Sequence, residues 1–98
     1  MFDFYRFDEM EDGTIPVTLA VDDGSFIVLW RLEKNGADEE KIKKVIRQLM
    51  QVFEENVILN EDKTIYDPKK SIVVDAKREW TYEGMLKMMK DEWGGLMK

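Results

Sequence analysis

Between Thr14 and Glu33 an alternating stretch and an apolar-rich one flank a turn, and this segment constrains the fold more than any other. Ile15, Val17, Leu19 and Val21 alternate with Thr14, Pro16, Thr18 and Ala20, the period of a half-buried strand. Pro16 has no N–H to donate to a ladder, which places that end of the strand at an edge or near a strand start. Asp22-Asp23-Gly24-Ser25 follows with Asp-Gly turn chemistry. The stretch from Phe26 to Glu33 predicts a second strand. Strict alternation puts Phe26, Val28, Trp30 and Leu32 on one face and Ile27, Leu29, Arg31 and Glu33 on the other. Its apolar density predicts a central position in a sheet.

The flanking segments supply the remaining elements. The run from Phe2 to Asp8 reads as an aromatic strand with imperfect alternation, Phe2 and Phe4 on one face and Tyr5 and Phe7 on the other. Lys34-Asn35-Gly36 is a turn. Asp38 is a suitable N-cap for a helix predicted from Glu39 to Glu55, because its carboxylate can accept the free N–H groups of the first turn. Ile42, Val45, Ile46, Leu49 and Phe53 form the apolar stripe of that helix. Glu39–Lys43 and Glu40–Lys44 stand at i,i+4 spacing, where an ion pair is worth roughly 0.2–0.5 kcal/mol. Short strands are expected at 57–59 and 64–66, and the residue before Pro68 is pushed out of helical geometry, so 67–70 reads as a loop. Ser71 to Glu79 is the last strand candidate. Thr81 can cap a final helix from Tyr82 to Trp93, with Tyr82, Met85, Leu86, Met89 and Trp93 as its apolar stripe and Gly94-Gly95 as its end. The predicted order is β-β-β-α-β-β-α: an α+β fold with a mostly antiparallel sheet of four to five strands packed against two helices. A length of 98 residues fits a single domain over 1–98.

Composition limits the chemistry. The chain has no Cys, which removes disulfides, thiolate metal sites and thiol nucleophiles. It also has no His, the side chain with an unperturbed pKa nearest neutrality and the commonest general base. Neither Ser25 nor Ser71 lies in a Gly-x-Ser-x-Gly frame, and no phosphate-binding glycine motif occurs. No enzyme activity and no cofactor are expected. Any metal would need oxygen ligands, so Mg²⁺, Ca²⁺ or Mn²⁺ at Asp22-Asp23-Gly24 or Asn60-Glu61-Asp62 are the candidates. Neither stretch has the spacing of a calcium loop. The longest apolar stretch, Phe26 to Trp30, is far short of the roughly 20 residues that span a bilayer. Met1-Phe2-Asp3-Phe4 has no basic leader character, so a cytoplasmic protein is expected.

The charge is divided by position. Residues 1–40 carry eleven acids and three bases, and residues 41–98 carry ten acids and twelve bases, so −8 and +2 make up the net −6. This balance disfavours direct binding to nucleic acid or anionic membrane. Asp3, Asp8, Glu9, Glu11 and Asp12 are interleaved with Phe2, Phe4, Tyr5, Phe7 and Met10, and Asp22 and Asp23 stand at the hairpin turn. Same-face carboxylates on a strand repeat at about 6.6 Å, close to the phosphate spacing along a nucleic-acid strand. Asp3, Tyr5, Asp8, Glu9, Glu11, Asp12, Asp22 and Asp23 are therefore the candidate partner-binding residues. The expected partner is a protein with a basic surface, such as one that binds nucleic acid. The expected action is that of a stoichiometric regulator or inhibitor, by analogy of size and charge with phage and mobile-element inhibitors, anti-defence proteins and toxin-immunity proteins. Two alternatives follow from other residues. A homo-oligomeric structural or accessory subunit could use Met88 and Trp93 of the Met-rich last helix. A small carboxylate–metal enzyme is the other.

Overall fold

The computed structural model describes residues 2–22, 24–57 and 71–97, without the side chains of Val21 and Asp22. Its elements are β1 (Asp3–Arg6), β2 (Thr14–Asp22), β3 (Ser25–Glu33), α1 (Glu39–Asn56), β4 (Ile72–Asp75), α2 (Tyr82–Trp93) and a 3₁₀ turn over Gly94–Leu96. The sheet order is β1-β2-β3-β4. β1–β2 and β2–β3 pair antiparallel, whereas β4 pairs parallel to β3. The α+β class and the two helices agree with the sequence reading, and the sheet is mixed. The short strands expected at 64–66 and beyond Val57 lie outside the described residues. Val57 itself bridges to Met97.

The hairpin forms where the alternation places it, but its second strand is not regular. Val17 pairs with Trp30 while its neighbour Thr18 pairs with Val28, so Leu29 is an extra residue on β3. This β-bulge reverses the facing of everything N-terminal to it. Trp30 and Leu32 face the helices with Ile15, Val17 and Leu19, and Ile27 faces them too, opposite Leu19. Phe26 and Val28 turn to the other side of the sheet. The uniform face expected for Phe26, Val28, Trp30 and Leu32 is thus corrected by one inserted residue. A second irregularity between Ala20 and Asp22 precedes the turn at Gly24, which takes φ 80°, a conformation open to Gly.

Two strand ends also differ from expectation. β4 stops at Asp75 instead of Glu79, because the Asp75 carboxylate accepts from its own chain at Lys77 N (2.9 Å) and from Asn35 Nδ2 (2.9 Å). That local bond turns the backbone out of the ladder. β1 is four residues long, and the chain then bends around Met10 and Gly13 into β2.

Both caps form as expected. Asp38 Oδ1 accepts from Lys41 N at 2.9 Å and Thr81 Oγ1 accepts from Gly84 N at 3.0 Å. The i,i+4 pairs expected on α1 do not form. Glu39 instead makes a bidentate pair with Arg6 across the sheet edge, and Lys41 reaches Glu79 at 2.9 Å. On α2, Tyr82 leaves the expected buried stripe: it is 38% exposed, its hydroxyl donating to Glu55 (2.7 Å) and accepting from Asn56 (2.9 Å). The glutamate holds the phenol pKa above its ordinary value.

The core lies between one face of the sheet and the two helices. Its centre is aromatic. Trp30, fully buried, stacks on Phe4 (6.1 Å between centroids) and meets Phe53 edge-on at 5.7 Å and Trp93 at 6.1 Å. Each fully buried side chain of this size contributes roughly 1.5–3 kcal/mol through removal from water. Trp30 Nε1 is buried with no hydrogen-bond partner among the described residues.

Candidate functional site

The second face of the sheet is covered by neither helix, and it carries the exposed large apolar residues of the N-terminal half. β1 presents Asp3 and Tyr5 there, followed by Phe7; β3 adds Phe26, Val28 and Arg31. Tyr5 is 50% exposed, Phe7 43% and Phe26 48%. These three rings touch. Tyr5 and Phe7 each meet Phe26 edge-on, at centroid separations of 5.5 and 5.7 Å. Thr18, opposite Tyr5 in register, is buried and its hydroxyl donates to the Tyr5 carbonyl at 3.2 Å. Beside the rings a shallow hollow of about 530 Å³ runs past Asp8, Glu9 and Met10 towards Arg31.

The carboxylates sit at the rim of this aromatic cluster, and they do not form one continuous field. Asp8, Glu9, Glu11 and Asp12 gather on the connection from β1 to β2, at one end of the sheet. Asp3 pairs with Ala20 at the other end, near the β2–β3 turn. Asp23 and the side chain of Asp22 lie outside the described residues. Two of the acids have internal duties. Glu9 pairs with Lys34 Nζ at 3.1 Å. Asp12 Oδ1 accepts from both Thr14 N (2.9 Å) and Thr14 Oγ1 (2.7 Å), which depresses its pKa and closes the turn into β2. Asp3, Asp8 and Glu11 are exposed. Among the described strand residues, Arg31 is the one base on this face, and it donates to Ser71 Oγ at 3.0 Å.

Sequence reasoning named Tyr5 but not Phe7 or Phe26. Phe26 is assigned to the buried face by strict alternation, and only the bulge at Leu29 releases it. The signal available was the unbroken apolar run Phe26 to Trp30, which one-sided alternation does not explain. The other proposed surface fares differently: Trp93 is 4% exposed and packs on Trp30 and Phe53, so it belongs to the core of this chain. Met88 is partly buried and lines a groove with Val73 and Trp80.

Chemically, the open face offers apolar contact area, ring edges and faces, and anionic groups around them. Among the described residues, no three carboxylates converge where they could hold a metal ion, and no helix is long and apolar enough to cross a membrane. Comparisons with known protein families, with curated proteins and with solved structures return no match.

Proposed function

We propose that this protein is a binding module that docks a cationic protein partner on the open face of its sheet. Tyr5, Phe7 and Phe26 are the anchors, and Asp3, Asp8 and Glu11 form the anionic rim. The observation that carries this reading is the cluster of three mutually touching, roughly half-exposed rings on a sheet face that neither helix covers. Contiguous exposed apolar surface with a polar border is a mark of interaction sites, and aromatic residues dominate interface energetics. The rim decides the sign of the partner. Exposed aromatic rings on a sheet also suit stacking against nucleic-acid bases, but such sites need basic residues to hold the phosphates. Here the bases beside the rings are Arg31, which donates to Ser71, and Lys34, which is paired with Glu9. A basic protein segment gains both ring contacts and charge attraction, and its association is accelerated by steering. The small size and acidity suit a stoichiometric inhibitor of the kind carried by phages and mobile elements.

The test is capture of a partner on immobilised wild-type protein, on Phe26→Ser and on Asp8→Lys/Glu11→Lys, followed by affinity measurement across a salt series. Phe26→Ser is expected to weaken binding by about thirtyfold or more, as for a hot-spot residue. The charge-reversal variant should bind more slowly, and wild-type affinity should fall as salt rises. A partner held equally by Phe26→Ser, or with salt-independent affinity, would refute the reading.

A further inference from the structure

The outer edge of β1 carries a second kind of contact, independent of the open face. β1 is an edge strand, paired only with β2 among the described residues. Phe7 N donates to Pro16 O at 3.0 Å, which fixes the parity of the ladder. In an antiparallel pair, successive residues direct their N–H and C=O groups alternately towards and away from the partner strand. Asp3, Tyr5 and Phe7 therefore turn theirs to β2, and the backbone groups of Phe4 and Arg6 point outward. Edges are commonly guarded by Lys, Pro, a bulge or an inward-pointing charge. β1 has no Lys, Pro or bulge; its guards are its four-residue length and the inward-pointing Arg6, whose charge is already paired with Glu39.

We propose that a second copy of this chain pairs with this edge, β1 against β1, about a two-fold axis at Phe4. The register is set by parity. To keep the open face of both copies on the same side, residues must pair so that odd positions meet odd and even meet even. With Phe4 on the axis, Phe4 faces Phe4 as a hydrogen-bonded pair and Arg6 faces Phe2, so every outward amide has an outward carbonyl opposite. Asp3 then lies beside Tyr5 of the second copy and not beside a second Asp3. The strand complements itself in hydrogen-bonding phase without setting like charges opposite each other, which an isologous contact requires.

Helix α1 supports the same axis. Its Glu39 meets Arg6 and its Phe53 meets Phe2 and Phe4, so α1 runs beneath β1 in the opposite direction. One flank of α1 faces the segment leading into α2 through Lys41–Glu79, Gln48–Trp80 and Glu55–Tyr82. The helical period then places Lys43, Met50 and Glu54 on the opposite flank, with Arg47 next to them. The two-fold sets the two α1 helices side by side and antiparallel. Glu54 of one copy then lies near Lys43 and Arg47 of the other, with the partly buried Met50 between. Arg47 and Glu54 make no ion pair among the described residues. The assembly is an eight-stranded sheet whose open face carries both aromatic clusters.

The test is sedimentation of the whole protein from low to high micromolar concentration, combined with amide hydrogen exchange at both ends of the range. A dimer is expected, with exchange at Phe4 and Arg6 slowing about tenfold or more on association while Tyr5 changes little. Glu54→Arg should weaken the dimer about tenfold, and Arg47→Glu/Glu54→Arg should restore it. Protected amides at Val45 and Leu49 verify that each variant is folded. A monomer at high micromolar concentration overturns the proposal. So does a dimer in which Phe4 and Arg6 exchange as in the monomer, or one in which the charge swap fails to restore affinity.

Discussion

The two faces of this sheet use the same kind of side chain to opposite ends. On the helix side, Phe4, Trp30, Phe53 and Trp93 form a continuous aromatic core with Trp30 fully enclosed. On the open side, Tyr5, Phe7 and Phe26 form a second cluster of similar edge-on geometry that is roughly half in water. Ring packing geometry alone therefore does not distinguish core from surface. What separates the clusters is whether a helix lies above them, and that depends on a single residue. Leu29, as the extra residue of β3, sends Trp30 inward and Phe26 outward. Phe26 and Trp30 are four positions apart in the same strand and would share a face without it.

This contrast can be broken most sharply by truncation. Phe53→Ala removes the ring that touches Phe2, Phe4, Trp30 and Trp93, and is expected to destabilise by about 3–5 kcal/mol, read as the urea midpoint shift at unchanged slope. Trp30→Phe should cost less, about 1–3 kcal/mol, because mainly volume is lost: the indole N–H that disappears leaves no partner behind among the described residues. Phe26→Ser should change stability by no more than about 1 kcal/mol, with its effect confined to binding. Equal losses for Phe26→Ser and Phe53→Ala would mean that the open cluster is a core in its own right. The smallest effect is electrostatic. Glu39 is held below its ordinary 4.5 by its hydrogen bonds from Arg6, and Asp12 and Asp75 lie below 3.8 through hydrogen bonds from Thr14 and Asn35 respectively. Groups with lowered native pKa stabilise the fold above their unfolded values, and that stability is lost as pH falls through the native ones. The melting temperature should stay level from neutrality down to about pH 5, then drop as pH falls below about 4. Arg6→Met should shallow that drop by removing the Glu39 share.

Much of the fold was legible because its signals are local. The period-2 pattern of Ile15, Val17 and Leu19, the Asp38 cap and the 3.6-residue stripe of α1 each act within a few residues. The cap and the stripe reappear in the structure, and Ile15, Val17 and Leu19 share the core face, but the strand is not half-buried there, since Pro16 and Thr18 between them are buried too. What escaped were choices made by distant partners. Glu39 is placed for Lys43 by spacing but is taken by Arg6, thirty-three positions earlier. Tyr82 fits an apolar stripe by period but finds Glu55 and Asn56 across the helix pair. The unbroken apolar run from Phe26 to Trp30 departs from one-sided alternation but does not place the bulge at Leu29, since each of its residues would suit either face. The candidate site was half legible for the same reason. The carboxylates and Tyr5 are visible by composition, whereas Phe26 enters only once register is known.

The parallel pairing of β4 with β3 has a kinetic consequence. β1, β2 and β3 are joined in sequence and can assemble by closing short loops, while β4 can dock only after the chain has laid α1 across and returned. Assembly should therefore proceed from the N-terminal meander outward, with Ile72–Asp75 among the last backbone to be fixed. Pulse-labelling during refolding should show Val17 and Leu32 amides protected ahead of Val74; simultaneous protection would point to one concerted step.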